Sequence, residues 1–139
     1  MIIATPQAML EAGRNFASRL RAGDVVALHG ELGAGKTLFC KGVLDALGFT
    51  GDVQSPTYTI THHYAPPEVR VPVVHADLYR LNDPHEVEEL GLFEDNAIYL
   101  IEWAGRGGAA LANASFTVSI KHEGEMQRKL TIKERDNAD

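Results

Sequence analysis

The segment Gly30-Glu31-Leu32-Gly33-Ala34-Gly35-Lys36-Thr37 meets every fixed position of the pattern G-x-x-x-x-G-K-[ST]. Such a loop constrains the fold on both of its sides. Its glycines let the backbone curl until successive N–H groups point inward, and it needs a strand to leave from and a helix to enter. Both are legible. Val25 to Leu28 is a short unbroken apolar run, the pattern of a strand buried on both faces of a parallel sheet. Lys36 to Leu47 reads as a helix stopped by Gly48. The loop thus presents backbone N–H groups and the positive end of a helix to an anion. Lys36 adds a cation for β- and γ-phosphates, and Thr37 a hydroxyl suited to Mg²⁺. A plain glycine turn with an exposed lysine would require neither neighbour.

The rest of the chain agrees with an α/β sheet. Thr5 as N-cap and Pro6 at the first helical position announce a helix carrying Met9, Ala12, Phe16 and Leu20 at helical spacing, with Gly23 as its stop. Thr57 to Tyr64 reads as extended. Val71 to Ala76 reads as a strand that Pro72 confines to an edge or a strand start. Asn82 to Leu90 has a helical pattern, Ala97 to Ile101 is a second apolar strand, and Gly105 to Gly108 is a turn. Phe116 to Ile120 and Arg128 to Lys133 alternate around Glu123-Gly124-Glu125, the pattern of a hairpin. The expected fold is a single P-loop NTPase-like α/β domain over residues 1–139, a mostly parallel sheet flanked by helices with an antiparallel C-terminal hairpin.

Composition narrows the function classes. At 139 residues there is room for one ordinary domain, and the 45% apolar content is that of a globular chain. Net charge is −6, from 13 basic and 19 acidic residues, so an anionic ligand needs a local pocket rather than a basic surface. No apolar run approaches the roughly 18 residues that cross a bilayer, so no membrane association is expected. The N-terminus Met1-Ile2-Ile3-Ala4-Thr5-Pro6 lacks the pattern of a secretory signal, and the single Cys40 cannot form an internal disulfide. A cytoplasmic location is expected.

A Mg²⁺ ion held by one hydroxyl and phosphate oxygens calls for a carboxylate at the end of a neighbouring strand. Two residues compete for that place. Glu102 closes the apolar strand Ala97-Ile98-Tyr99-Leu100-Ile101, and Asp77 closes the weaker Val73-Val74-His75-Ala76. For most acidic residues solvent exposure is the ordinary state, but the end of a buried strand reverses it for Glu102 and partly for Asp77.

In order along the chain, the loop Gly30 to Thr37, then Ser55-Pro56-Thr57-Tyr58-Thr59, His75-Ala76-Asp77-Leu78-Tyr79-Arg80-Leu81 and Ile101-Glu102-Trp103 resemble the TsaE (formerly YjeE) family. The resemblance covers roughly Thr5 to Arg128. It implies a bacterial ATPase, with ATP and Mg²⁺ as cofactors, required for the threonylcarbamoyladenosine beside the anticodon of ANN-decoding tRNAs. The implied partner is the TsaD–TsaB complex, tRNA being reached only through it; the threonylcarbamoyl transfer itself lies outside this family's role. Carried over, Lys36, Asp77 and Glu102 are the catalytic set. Gly30, Glu31, Leu32, Gly33, Ala34, Gly35, Lys36 and Thr37 bind the nucleotide, joined by Thr57 of a switch-like segment and by Arg128. Thr37 and Glu102 become the metal ligands, with Asp77 in the outer shell or orienting water. Two positions depart from the pattern: Leu38 stands where a second threonine is frequent, and Ala104 where proline follows Glu-Trp. The first removes a spare hydroxyl and the second loosens a turn.

Plainer roles account for the remaining chemistry-bearing residues. Trp103 and Cys40 read as packing residues, His75 as structural, and His62-His63 as a solvated turn without metal-ligand spacing. Tyr79 and Arg80 divide evenly between tying the sheet end and facing a partner. A small-molecule kinase would need an arginine-bearing lid, and only Arg106 stands in such a place. A nucleotide-dependent switch that does not hydrolyse is the other alternative.

Overall fold

A computed structural model of the chain describes residues 1–30, 35–51, 61–77, 96–102, 114–124 and 126–135. Their elements are β1 (Ile2–Ile3), α1 (Pro6–Ala17), β2 (Val25–Gly30), α2 (Lys36–Ala46), β3 (Thr61–Tyr64), β4 (Val73–Asp77), β5 (Ile98–Glu102), β6 (Phe116–Glu123) and β7 (Gln127–Glu134). Thr5 caps α1 as its sequence dictates: its backbone is extended, and its hydroxyl accepts from Ala8 N–H at 3.0 Å. A cap of this kind is worth about 1 kcal/mol. The helix stops at Ala17, short of the Gly23 stop that the apolar spacing suggests. Gly23, at φ +98°, instead turns the chain into β2, and its N–H donates to Ala97 O at 2.8 Å.

The strands form one sheet in the order β1-β7-β6-β2-β5-β4-β3. β6, β2, β5 and β4 are parallel; β7, β1 and β3 pair antiparallel. The mostly parallel sheet and its C-terminal hairpin are therefore present. β4 lies inside the sheet, and Pro72 precedes it, so no ladder hydrogen bond is lost to the proline. His62 and His63, read as a turn, are in β3, opposite His75 and Val74. The two residues of β1, too short to leave a sequence signal, pair with Lys129 and Arg128 of β7. The helical pattern at 82–90, the turn at 105–108 and residues 57–60 lie outside the described residues.

Side-chain alternation gives the sheet two buried faces. Val26, Leu28, Ile98, Leu100, Val118 and Ile120 pack with Phe16, Phe39, Val43 and Leu44 of the helices. Ala27, Val74, Ala76, Tyr99 and Ile101 form a second cluster on the other face. Continuing the first parity along β4 and β5 brings His75, Asp77 and Glu102 to the helix side at the strands' C-terminal ends. Among the described residues no helix is long and apolar enough to cross a membrane.

α1 and α2 cross in backbone contact. A Cβ placed on Gly13 would lie 2.2 Å from Phe39 O, and one on Gly42 would lie 2.2 Å from Leu10 O. Neither obstacle is a flexible side chain, so the helices themselves would have to separate. We expect Gly42→Ala to destabilise the fold by about 1–3 kcal/mol, the usual range for overpacking, despite alanine's better helix propensity. Urea unfolding of the two proteins measures it; an unchanged or higher midpoint would mean that the crossing relaxes freely.

Candidate functional site

β2 delivers the chain to Gly30 and α2 receives it at Lys36, so the glycine loop joins a central strand to a helix start. Gly35 is the N-cap of α2 at φ +113°, a left-handed conformation costly for other residues. Met9 Cε lies 3.1 Å from where a Cβ would stand, so a larger residue would also have to displace that methyl group. Among the described residues α2 has no side-chain cap and no acidic residue in its first turn. Its leading N–H groups therefore keep their attraction for an external anion.

The first two residues of α2 reach different partners. Lys36 Nζ donates to Gly30 O at 2.5 Å, tying the two ends of the loop together. Burial pushes the Lys36 ammonium below its ordinary 10.5, against the pull of Glu102, Asp77 and Cys40 in the other direction. Thr37 Oγ1 lies 3.3 Å from both carboxylate oxygens of Glu102 and donates toward them. Glu102 is only 3% exposed. Its Oε2 also accepts from His75 Nε2 at 2.5 Å, and His75 is fully buried. Asp77, half-buried, stands opposite Glu102 in the β4–β5 register, about 4.8 Å away in the backbone.

This arrangement suits a hard cation. A threonine hydroxyl beside a carboxylate is an oxygen donor set of the kind Mg²⁺ takes, completed by phosphate and water. A softer set lies next to it: Cys40 Sγ, a ring nitrogen of His75 and a Glu102 oxygen fall within 4.8 Å of one another. Burial, with a smaller contribution from Glu102, pushes the Cys40 thiol well above its usual 9.0. Sulfur and imidazole suit softer metals, so for a hard cation such as Mg²⁺ the hydroxyl–carboxylate pair is the better site.

Of the residues singled out in the sequence, Gly30, Gly35, Lys36, Thr37, Asp77 and Glu102 gather at one end of β2, β4 and β5. Arg128 is on the same rim but apart from that cluster. It pairs with His122, two residues beyond the Ile120 opposite Gly30, and β7 is two strands from β2. Its Nη1 donates to Gln127 O at 3.0 Å. Glu31, Leu32, Gly33, Ala34, Thr57 and Trp103 lie outside the described residues. His75, read from the sequence as structural, is fully buried and bonded to Glu102. Its signal was the period of two in His75-Ala76-Asp77, which turns the imidazole and the carboxylate to the same face.

A central parallel strand running through a glycine loop into a helix, beside a strand ending in a carboxylate, defines an α/β domain of the P-loop NTPase-like class. Comparison with known proteins narrows it further. Residues 3–130 match the family described as threonylcarbamoyl adenosine biosynthesis protein TsaE, and the chain belongs to that family. Its place is accordingly in the biosynthesis of tRNA threonylcarbamoyladenosine. It is 39% identical to the Haemophilus influenzae tRNA threonylcarbamoyladenosine biosynthesis protein TsaE, over 82% of this chain and 76% of that one. The Bacillus subtilis protein of the same description is 40% identical, over 81% and 70% of the two chains. The crystal structure of YdiB from Bacillus subtilis superimposes with a TM-score of 0.82 at 30% identity, covering 99% of this chain and 85% of YdiB.

Cys40 offers a direct check on the packing around the site. A buried thiol whose ionisation is suppressed reacts slowly, because reagents attack the thiolate. We expect the chain's one cysteine to react with 5,5′-dithiobis(2-nitrobenzoate) at pH 8 at least ~100-fold more slowly in the native protein than in denaturant. Comparable rates would show that α2 opens readily from the sheet.

Proposed function

We propose that the chain binds ATP with Mg²⁺, hydrolyses it slowly, and thereby serves a TsaD–TsaB complex in threonylcarbamoyladenosine formation. The observation that carries this reading is the convergence at the start of α2. Lys36 closes on the loop's first carbonyl while the Thr37 hydroxyl meets the Glu102 carboxylate at 3.3 Å. Backbone N–H groups from Gly30 to Thr37 would cradle the phosphates, and Lys36 would balance charge developing on the γ-phosphoryl oxygens. Thr37 and Glu102 would hold Mg²⁺, which when bound draws charge from the phosphate oxygens. Asp77, on the adjacent strand end, is placed to orient water or the metal's outer shell. Thr57 and Arg128 are assigned as further nucleotide contacts on the family resemblance.

The expected rate follows from the count of cations. One lysine serves the loop, and the segment Ser55-Pro56-Thr57 carries no arginine. A missing arginine finger alone costs about 10³-fold in phosphoryl transfer. A partner that covers the site would exclude water and strengthen the remaining electrostatics.

Three measurements test the reading. ATP turnover by the isolated chain is expected to be slow and to change when the TsaD–TsaB pair is added; fast turnover indifferent to partners would instead favour a stand-alone ATPase or kinase. Lys36→Ala is expected to lose hydrolysis by about 10²-fold or more, and unchanged hydrolysis would remove the loop from the chemistry. In a Mg²⁺ titration of ATP binding, Glu102→Ala is expected to raise the half-saturating concentration more than Asp77→Ala, and the reverse order would make Asp77 the direct ligand.

A further inference from the structure

Glu102 is reached from two sides. Thr37 approaches from α2, and His75 approaches from β4, where it is paired in register with Leu100, two residues before Glu102. His75 and Glu102 sit on the same face of adjacent parallel strands, and both side chains are taken out of water. A carboxylate there has rotamers available toward either strand end, and nothing in the alternation of the sheet fixes which it adopts. The Nε2–H donor supplies that restriction, because it holds Oε2 and so sets the plane of the group facing Thr37 Oγ1. The other ring nitrogen, Nδ1, is buried with no hydrogen-bond partner among the described residues. An imidazole placed only to be satisfied in a core would find partners for both nitrogens; here a single contact accounts for its position.

We propose that His75 is a positioning residue that orients the Glu102 carboxylate for the cation shared with Thr37. The inference rests on the nucleotide and Mg²⁺ reading above. Outer hydrogen-bond partners of metal-binding carboxylates carry measurable affinity, and losing one costs about 10- to 100-fold in metal binding. His75 touches neither phosphate nor water in this role; its effect passes through Glu102.

The test separates the donor from the bulk it occupies. His75→Gln keeps an N–H group at the reach of Nε2, whereas His75→Leu fills a similar volume without a donor. Binding of a fluorescent ATP analogue is followed in EDTA and across a Mg²⁺ titration for wild type and both variants. The expected result is a half-saturating Mg²⁺ concentration raised about 10-fold or more by leucine and largely restored by glutamine, with affinity in EDTA unchanged in both. If the leucine variant does not fold, His75→Asn replaces it, since its shorter amide falls short of the carboxylate while keeping polarity. Equal Mg²⁺ responses in wild type and the donorless variant would overturn the positioning role alone. A wild type whose nucleotide binding ignores Mg²⁺ would overturn the parent reading and the positioning role together. Loss of affinity in EDTA to the same extent as in Mg²⁺ would make His75 a structural residue of the loop and sink the proposal.

Discussion

A carboxyl group at 3% exposure is the most demanding group among the described residues, and the site is arranged around it. A buried charge left unpaired costs several kcal/mol, so Glu102 requires donors and a countercharge close by. His75 Nε2 and Thr37 Oγ1 are the donors, and the buried Lys36 ammonium nearby is the countercharge, with Glu102 holding its pKa up against burial. Each comes from a different element: β4 brings the imidazole, α2 the hydroxyl and the ammonium. Remove the parallel pairing of β4 with β5, or the loop that starts α2 where it does, and Glu102 is stranded.

The strand order makes this economical. β5 lies between β2 and β4, with Glu102 beside Leu28 on one side and Asp77 on the other. Because parallel strands end together, a single rim collects the loop, both carboxylates and, on the hairpin two strands away, Arg128. Family membership and the YdiB superposition agree with that architecture, which recurs at 30% identity over nearly the whole chain.

Much of this was legible in the residues. The glycine loop dictated its own strand and helix, and Thr5-Pro6 marked where α1 begins. Glu102 was singled out because it ends an apolar run, and the structure sets it against Thr37. What the sequence concealed were properties of pairing. The two residues of β1 have no pattern of their own and become a strand only because β7 offers an edge. Pro72 left open an edge strand or a strand start, and pairing decided between them: it stands just before an interior strand, where it costs no ladder bond. His75 is the buried histidine its sequence suggests, but its contact with Glu102 spans 27 positions, a separation that no local period reports. α1 ended early for a similar reason: Leu20 continues the apolar spacing, yet the chain had to turn at Gly23 to enter β2.

The bare crossing at Gly13 and Gly42 has a mechanical meaning. At Gly13 and Gly42 no side chain separates the two helix backbones, so a displacement of one helix there bears directly on the backbone of the other. The pair carries Lys36 and Thr37 at the start of α2, where Met9 of α1 lies beside Gly35. Two residues before Pro6, Ala4 and Thr5 tether it to β1, whose Ile3 is paired with Arg128. The start of α2 thus has two connections to the sheet: a direct one to the central strands through Gly30 and Glu102, and an indirect one to the outer edge through α1 and β1.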